Sequence, residues 1–359
     1  MNYKILHIID NMGLGGAQTV VKGIFEGQKD NQDIFLYALR KRDINIEIDH
    51  KNIYSFSGNN KYSFPIFKLR QFIKNHNIEI LHCHLAKSQI IGGILKTFFF
   101  PNIKLVFHEH GEILENGKIY PILMNFFRKK VDTYIAVSNA IKQAILDKTD
   151  YNDNQVKTLY NFVDLNRFKR LDTENISKKR KKLGYTSSDF IIGWAGRLIE
   201  RKGWCEFIEV AKRLIDNGYD IKFIIAGDGE DRDKLISNIS GYKDIKYIGY
   251  HSDMVGFYNI IDIFIFSSHW EPLGLTGIEA NACNTSVIIS VIPGATEIMI
   301  DGVNSMYFNV KDIDNLYDKV LKLYEDKDLR DKLSNNGLEE VKKYSLEKYL
   351  VLLNEVYEG

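Results

Sequence analysis

Ser267-Ser268-His269-Trp270-Glu271-Pro272-Leu273-Gly274-Leu275-Thr276-Gly277-Ile278-Glu279-Ala280 is the stretch on which the reading of this 359-residue chain turns. An apolar run, Ile260 to Phe266, leads into it and reads as a buried strand. The stretch then carries the residue choices of a helix start. Pro272 suits a first helical turn, whose N–H groups have no partner inside the helix. Gly274 lets a ligand approach the backbone closely. The N–H groups around Gly274, Leu275 and Thr276, with the helix dipole behind them, suit an anion such as a phosphate. Glu271 stands before the helix and Glu279 roughly 7 Å further along its axis, at about 1.5 Å per residue. One carboxylate can therefore meet one end of a phosphate-bridged ligand and the other its far end. Taken alone, the pair reads as a capping carboxylate and a solvated helix residue.

The surrounding sequence supplies partners for an anion. Upstream, Phe190-Ile191-Ile192-Gly193-Trp194-Ala195 reads as a strand and runs into Gly196-Arg197-Leu198-Ile199-Glu200-Arg201-Lys202-Gly203. An arginine and a lysine at a strand-to-helix junction, flanked by glycines, can hold a diphosphate without a metal; a solvated basic loop is the plainer reading. Ile221–Ala226 is a further strand ending in Gly227-Asp228-Gly229-Glu230, and Tyr247 to His251 another, with Tyr250 near its end. Downstream, Ser286–Ser290 reads as a buried strand, followed by the loop Pro293-Gly294-Ala295-Thr296-Glu297.

The first half repeats the alternation. Lys4–Ile9, Ile34–Leu39, Ile53–Phe56, Ile78–His82, Lys104–Phe107, Thr133–Val137 and Val156–Tyr160 read as strands, with helical spacing in Phe64–Asn75 and Ala86–Phe99. Strands alternating with helices imply an α/β fold of βαβ units and parallel sheets, with ligands beyond the carboxyl ends of the strands. The first such end carries Asp10-Asn11-Met12-Gly13-Leu14-Gly15-Gly16-Ala17-Gln18, a glycine-rich turn that lets phosphate approach. It lacks the G-x-G-x-x-G dinucleotide spacing and its acidic partner. His82-Cys83-His84 and His108-Glu109-His110-Gly111 follow. An H-x-H on a strand puts both rings on one face, so zinc is geometrically open, but the usual third-ligand motifs are missing. Histidines hydrogen-bonded to loop backbone are the other reading, and no metal is expected. A lysine-rich polar run from Asp172 to Lys182 places a boundary near residues 165–185.

Composition bounds the function. The length gives room for two domains, and an apolar fraction of 45% supports real cores. A net charge of +1 carries no nucleic-acid signal. The charge is uneven: residues 1–165 carry +5 and the remainder −4. Lys68, Arg70, Lys74 and Lys96, set among Phe and Ile, make an anionic membrane surface a candidate partner of the first half. Cys83, Cys205 and Cys283 have no metal or disulfide spacing, which fits a reducing compartment. The start has no signal-peptide pattern and no apolar run is long enough to span a bilayer. The expected location is cytoplasmic, with peripheral attachment to the inner membrane face as an extension of the charge argument.

Five ordered motifs across nearly the whole chain resemble the retaining glycosyltransferases of family 4, which have the GT-B fold of two Rossmann-like domains facing across a cleft. The opening stretch is similar to that family's E-x7-E signature. Gly196–Gly203 resembles its G-R-L-x-x-x-K-G, and Asn161-Phe162-Val163-Asp164 through Phe168 its N-G-V-D-x-x-x-F. His110 matches the histidine of its V-x-T-x-H-G strand, and Gly15, Gly16 and Ala17 its G-G-A loop. The resemblance implies domains at 1–168 (acceptor side) and 169–343 (nucleotide-sugar side), with residues 344–359 a helix crossing back to the first. It implies catalytic roles for Glu271, His110, Arg197 and Lys202. Donor contacts would come from Gly15, Gly16, Arg197, Lys202, Gly227, Tyr250, Glu271, Gly274, Leu275, Thr276 and Glu279, and acceptor contacts from His84 and Lys87. The implied reaction moves a sugar from a nucleotide-diphosphate donor, with UDP as the leading base, to a glycan or lipid-linked acceptor. It proceeds with retention and without metal or other cofactor. A GT-B nucleotide-sugar epimerase and a non-catalytic sugar-nucleotide-binding subunit are the alternatives. Phe162, Pro293 and the segment Ala282 to Val287 depart from the family pattern.

Overall fold

The computed structural model describes residues 3–42, 45–55, 65–115 and 117–359. Thirteen strands form two parallel sheets among these residues. The first contains β1 (Ile5–Asn11), β2 (Ile34–Arg40), β3 (Ile53–Ser55), β4 (Ile80–His84), β5 (Lys104–Glu109), β6 (Thr133–Ala136) and β7 (Val156–Thr158). Its order is β3-β2-β1-β4-β5-β6-β7. The second contains β8 (Phe190–Ala195), β9 (Ile221–Ala226), β10 (Ile245–Tyr247), β11 (Ile263–Phe266), β12 (Ser286–Ser290) and β13 (Met306–Phe308), in the order β10-β9-β8-β11-β12-β13. Strands covered on both faces need near-continuous apolar sequence, and β1 buries Ile5, Leu6, Ile8 and Ile9 completely. The second core gathers Trp194, Trp204, Phe207 and Phe223 around the same kind of sheet.

The chain divides into two compact units, one running to Phe162 and resuming at Leu346, the other spanning Val163–Ser345. The second unit closes on itself where it begins and ends, since the Val163 N–H donates to the Tyr344 carbonyl at 2.9 Å. The passage thus falls at Val163, a few residues before the boundary read at 168/169. The terminal helix, Leu346–Glu358, belongs to the first unit, where the Lys104 Nζ donates to the Tyr357 carbonyl at 3.0 Å. Phe162, foreign to the family pattern at its position, is buried against Tyr349 (ring centroids 4.7 Å apart), directly over Gly23, where a Cβ would meet the ring at 2.4 Å. The large ring replaces turn freedom with packing.

Several expected boundaries move. The helix after Glu271 begins at Leu275, with Gly274 in the left-handed region at φ 88°, so Pro272 precedes the helix rather than opening it. The strand expected at Tyr247–His251 lies at Ile245–Tyr247, leaving Tyr250 beyond it and 59% exposed. β4 continues to His84, and β13 was not expected at all. Phe56 and Phe64, placed at the ends of an expected strand and helix, lie outside the described residues. Lys96 is no surface cation: it is buried and paired with Asp132 at 2.5 Å. Arg70 lies over the Phe99 ring, 5.1 Å from its centroid.

Candidate functional site

In each sheet the strand order reverses beside the first strand of its unit, at β1/β4 and at β8/β11. The crevice beyond the carboxyl ends at such a point is where open α/β sheets bind ligands. Arg197, Lys202, Glu271, Gly274, Leu275, Thr276 and Glu279 follow β8 and β11, and Gly15, Gly16, His84 and Lys87 lie at the ends of β1 and β4; Gly227, Tyr250 and His110 lie instead beyond β9, β10 and β5.

In the second unit, β8 runs into the loop bearing Arg197 and Lys202, and β11 into the loop bearing Glu271. The two loops are fastened together. Gly203 has φ 71°, and a Cβ there would lie 1.9 Å from the Ser267 carbonyl, so only glycine permits the approach. The Ser267 hydroxyl donates to the Gly203 carbonyl at 2.6 Å and accepts from Trp194 Nε1 at 3.1 Å. The His269 N–H donates to the Arg201 carbonyl at 2.8 Å. This clamp sets Lys202 Nζ against Glu271 Oε1, and Ser268 donates its hydroxyl to the same oxygen at 3.0 Å. Both charges are largely withdrawn from solvent, with side chains 22% and 14% exposed. Arg197 is exposed and its guanidinium meets no carboxylate or hydrogen-bond acceptor among the described residues. Gly227, at the end of β9, approaches so closely that a Cβ would lie 1.8 Å from the Gly196 carbonyl, which holds its turn against the arginine loop.

Glu279 lies in the helix Leu275–Ala282, which Gly274 precedes without any side-chain cap. The Leu275 and Thr276 N–H groups find no partner among the described residues, as the start of an uncapped helix requires. The Glu279 carboxyl accepts from the Tyr258 hydroxyl at 3.1 Å. The residue as a whole is half-buried. Burial pushes its pKa from 4.5 up to about 7, against the opposing pull of the Tyr258 hydrogen bond and the Arg167 charge.

In the first unit, Gly15 and Gly16 open the helix Gly16–Glu26 at the end of β1, again with no side-chain cap. Asp10, on the same strand end, accepts from the Ser88 N–H at 2.8 Å and the Lys87 N–H at 3.3 Å. It thereby caps the helix Ala86–Phe98, whose own preceding residue, Leu85, offers no side-chain acceptor. Burial raises the Asp10 carboxyl to about 6, opposed by those two hydrogen bonds and by Arg40 and Lys87.

His84 and His110 belong to a larger arrangement. β1, β4 and β5 pair so that His7 faces His82 and His84 faces His108. Alternation then puts His7, His82, His84, His108 and His110 on one side of the sheet as a stack of rings. His82 and His84 lie 4.2 Å apart at 23°, and His108 and His110 4.2 Å apart at 25°. Two hydrogen-bonded rows run through the stack. One joins His7 Nδ1 to His84 Nε2 (3.0 Å) and His84 Nδ1 to His110 Nε2 (3.1 Å). The other joins the Tyr357 hydroxyl to His82 Nδ1 (2.6 Å) and His82 Nε2 to His108 Nδ1 (3.2 Å). Burial lowers all five imidazoles, His7 to about 3 and His110 to about 4, so they are neutral at physiological pH. Two sets, His7/His82/His84 and His84/His108/His110, bring ring nitrogens within 4.8 Å of one another. The rings of these sets meet at angles from 16° to 40°, and their facing nitrogens already share hydrogen bonds. The ladder is better suited to passing hydrogen bonds than to enclosing an ion.

Lys202 and Glu271 meet, as do His84 and His110; Arg197 and Tyr250 stand in solvent without partners among the described residues. Ser268, Tyr258, Asp10 and His7 were not anticipated. Asp10 and Ser268 sit inside quoted motifs and had a local signal. His7 and Tyr258 come into place only through strand and helix pairing.

Comparison with known proteins agrees along most of the chain. Residues 175–340 match the model described as Glycosyl transferases group 1, and residues 14–167 that described as Glycosyltransferase Family 4. The capsular polysaccharide biosynthesis glycosyltransferase CapM of Staphylococcus aureus is 24% identical, covering 95% of this chain and 92% of its own. The UDP-Gal:alpha-D-GlcNAc-diphosphoundecaprenol alpha-1,3-galactosyltransferase of Escherichia coli is 26% identical over 73% of this chain and 70% of its own. HepE of Anabaena, solved in complex with UDP and glucose, superposes with a TM-score of 0.87 at 20% identity over the full length of both chains.

Proposed function

This chain belongs to the glycosyl transferases group 1, with two Rossmann-like units of the GT-B type, and on that premise we propose that it transfers a sugar from a UDP-sugar to a surface glycan or its lipid-linked precursor, with retention and without a metal. The observation that carries the donor side is the meeting of Lys202 and Glu271 at the β8/β11 reversal, beside an exposed Arg197 and the uncapped start of the helix Leu275–Ala282. The CapM relative supports the glycan acceptor, and the Escherichia coli relative a lipid diphosphate carrier.

In this reading Arg197, Lys202 and the Leu275 and Thr276 N–H groups take the diphosphate. As the bond between anomeric carbon and diphosphate oxygen breaks, they stabilise the charge growing on the leaving oxygen. Preorganised donors of this kind are worth about 2.7–4 kcal/mol each where one has been removed from comparable sites. Glu271 faces the sugar and favours the positive charge developing there. The acceptor hydroxyl forms the new bond from the same face and gives its proton to the leaving phosphate. Glu279 takes the ribose hydroxyls, and His110 a sugar hydroxyl.

Release of UDP from UDP-glucose or UDP-galactose, dependent on a glycan or lipid-linked acceptor, tests the reading. NMR of the product's anomeric proton tests retention. UDP-sugar binding without any acceptor-dependent release would favour a binding subunit, and conversion of the sugar nucleotide itself an epimerase.

A further inference from the structure

The helix Ile119–Phe127 has two apolar faces. One is core: Tyr120, Met124 and Phe127 are buried, and Phe127 lies against Gly93 of the helix Ala86–Phe98, where a Cβ would meet the ring at 2.5 Å. The other is bare. Ile119 is 73% exposed, Ile122 66% and Phe126 66%. The spacing i, i+3, i+7 aligns them along one stripe. Large apolar side chains scattered singly need no explanation, but three in a row on one helix face do. Lys118 precedes the stripe, and Arg128, Lys129 and Lys130 follow it at once; no Asp or Glu occurs between residues 116 and 131. Lys118, Lys129 and Lys130 are exposed and make no ion pair among the described residues. Phe98, at the end of the neighbouring helix, is also 66% exposed.

Arg128 is half-buried and donates to the Asp150 carbonyl at 2.8 Å, which leaves the lysines as the free cations among the described residues. An apolar stripe bracketed by such lysines fits a surface that is oily within and negative at its rim. We propose that this helix docks the protein on an anionic lipid bilayer, with Ile119, Ile122 and Phe126 entering the acyl boundary and Lys118, Lys129 and Lys130 resting among the headgroups. No helix of the described residues is long and apolar enough to cross a membrane, so the attachment is superficial. The surface differs from the one the sequence suggested, since Lys96 is buried in an ion pair and Arg70 is stacked on Phe99. The proposal stands on the surface alone and does not depend on the transfer reaction, although a lipid-linked acceptor would give it a use.

Sedimentation with vesicles of equal parts phosphatidylglycerol and phosphatidylcholine, without donor or acceptor, tests it. The protein should pellet with these vesicles and not with pure phosphatidylcholine. Binding should weaken as salt rises from about 0.1 M to 1 M, where the screening length falls from ~10 Å to ~3 Å. Each basic residue near the surface is worth about fivefold in partitioning, so Lys129→Glu with Lys130→Glu should reduce binding more than tenfold. Ile119→Asn, Ile122→Asn and Phe126→Ser together should abolish it, with circular dichroism and turnover of a soluble acceptor unchanged. Wild-type protein that ignores anionic vesicles, or a triple variant that binds as well as wild type, overturns the proposal. So does a dimer in light scattering that the triple variant renders monomeric, because a second copy would then cover the stripe.

Discussion

With Glu279 placed against the donor ribose, as proposed, its raised pKa makes donor binding a proton-linked event. With a value of about 7, the carboxyl is half protonated at neutral pH. A ribose hydroxyl donates far more strongly to the ionised carboxylate than to the neutral acid, so binding should expel the proton that is there. At pH 7 about half a proton should leave per donor bound, and almost none at pH 9. The apparent affinity should fall about tenfold from pH 8 to pH 6, because roughly ten in eleven carboxyls are protonated at the lower value and about one in eleven at the higher. UDP itself is a poor probe, since its terminal phosphate titrates near neutrality. UDP-glucose has no such ionisation. Calorimetry in buffers of contrasting ionisation enthalpy counts the protons directly. Glu279→Gln should lose both the proton release and the pH slope while keeping measurable binding. Equal pH dependence in wild type and Glu279→Gln, or no proton release at pH 7, would refute the placement of this carboxyl against the donor.

The same group bears on stability. A carboxyl raised from 4.5 to about 7 stabilises the fold below pH 4.5, and that contribution is lost as pH rises through 7. Urea denaturation should therefore find Glu279→Gln gaining on wild type by up to roughly 3 kcal/mol between those pH values, and parallel curves would count against it. Glu271→Gln should collapse kcat while UDP still binds, whereas Lys202→Ala should chiefly weaken UDP; a Glu271→Gln enzyme near full turnover would remove the carboxylate from the sugar site. Tyr357→Phe strands the buried His82 Nδ1 and should cost about 1–3 kcal/mol in denaturation, with an unchanged midpoint telling against the hydrogen bond. Transfer should survive EDTA, and loss restored by Mg²⁺ or Mn²⁺ would defeat the metal-free reading.

The fold was legible because parallel sheets need buried strands of Ile, Leu and Val, and such runs stand out between polar helices. Phe190–Ala195, Ile221–Ala226 and Ser286–Ser290 were read to the residue. β13 was hidden because three residues, Met306–Phe308, give too short a pattern. Pro272 misled because proline fits both a helix start and the turn before one. Lys202 and Glu271 were nameable from their motifs, but their contact was not, since it depends on Gly203 admitting the Ser267 carbonyl from 64 residues away. The histidine ladder was half legible. Alternation in β4 puts His82 and His84 on one face, while His7 joins only through a strand register that no local pattern encodes.

On the proposed reading, in which Lys202 takes donor phosphate, the Lys202–Glu271 contact gives the lysine an anion of its own. A lysine alone would leave a bare positive charge awaiting phosphate; here a carboxylate already satisfies it. Donor entry is then an exchange of anions, in which phosphate must outcompete a tethered rival. Only the difference between the two pairings appears as affinity. In the same reading the exchange should also run backwards: after transfer, the carboxylate reclaims the lysine and loosens the departing nucleotide. An ion pair that weakens binding in this way can shorten the time that product holds the enzyme.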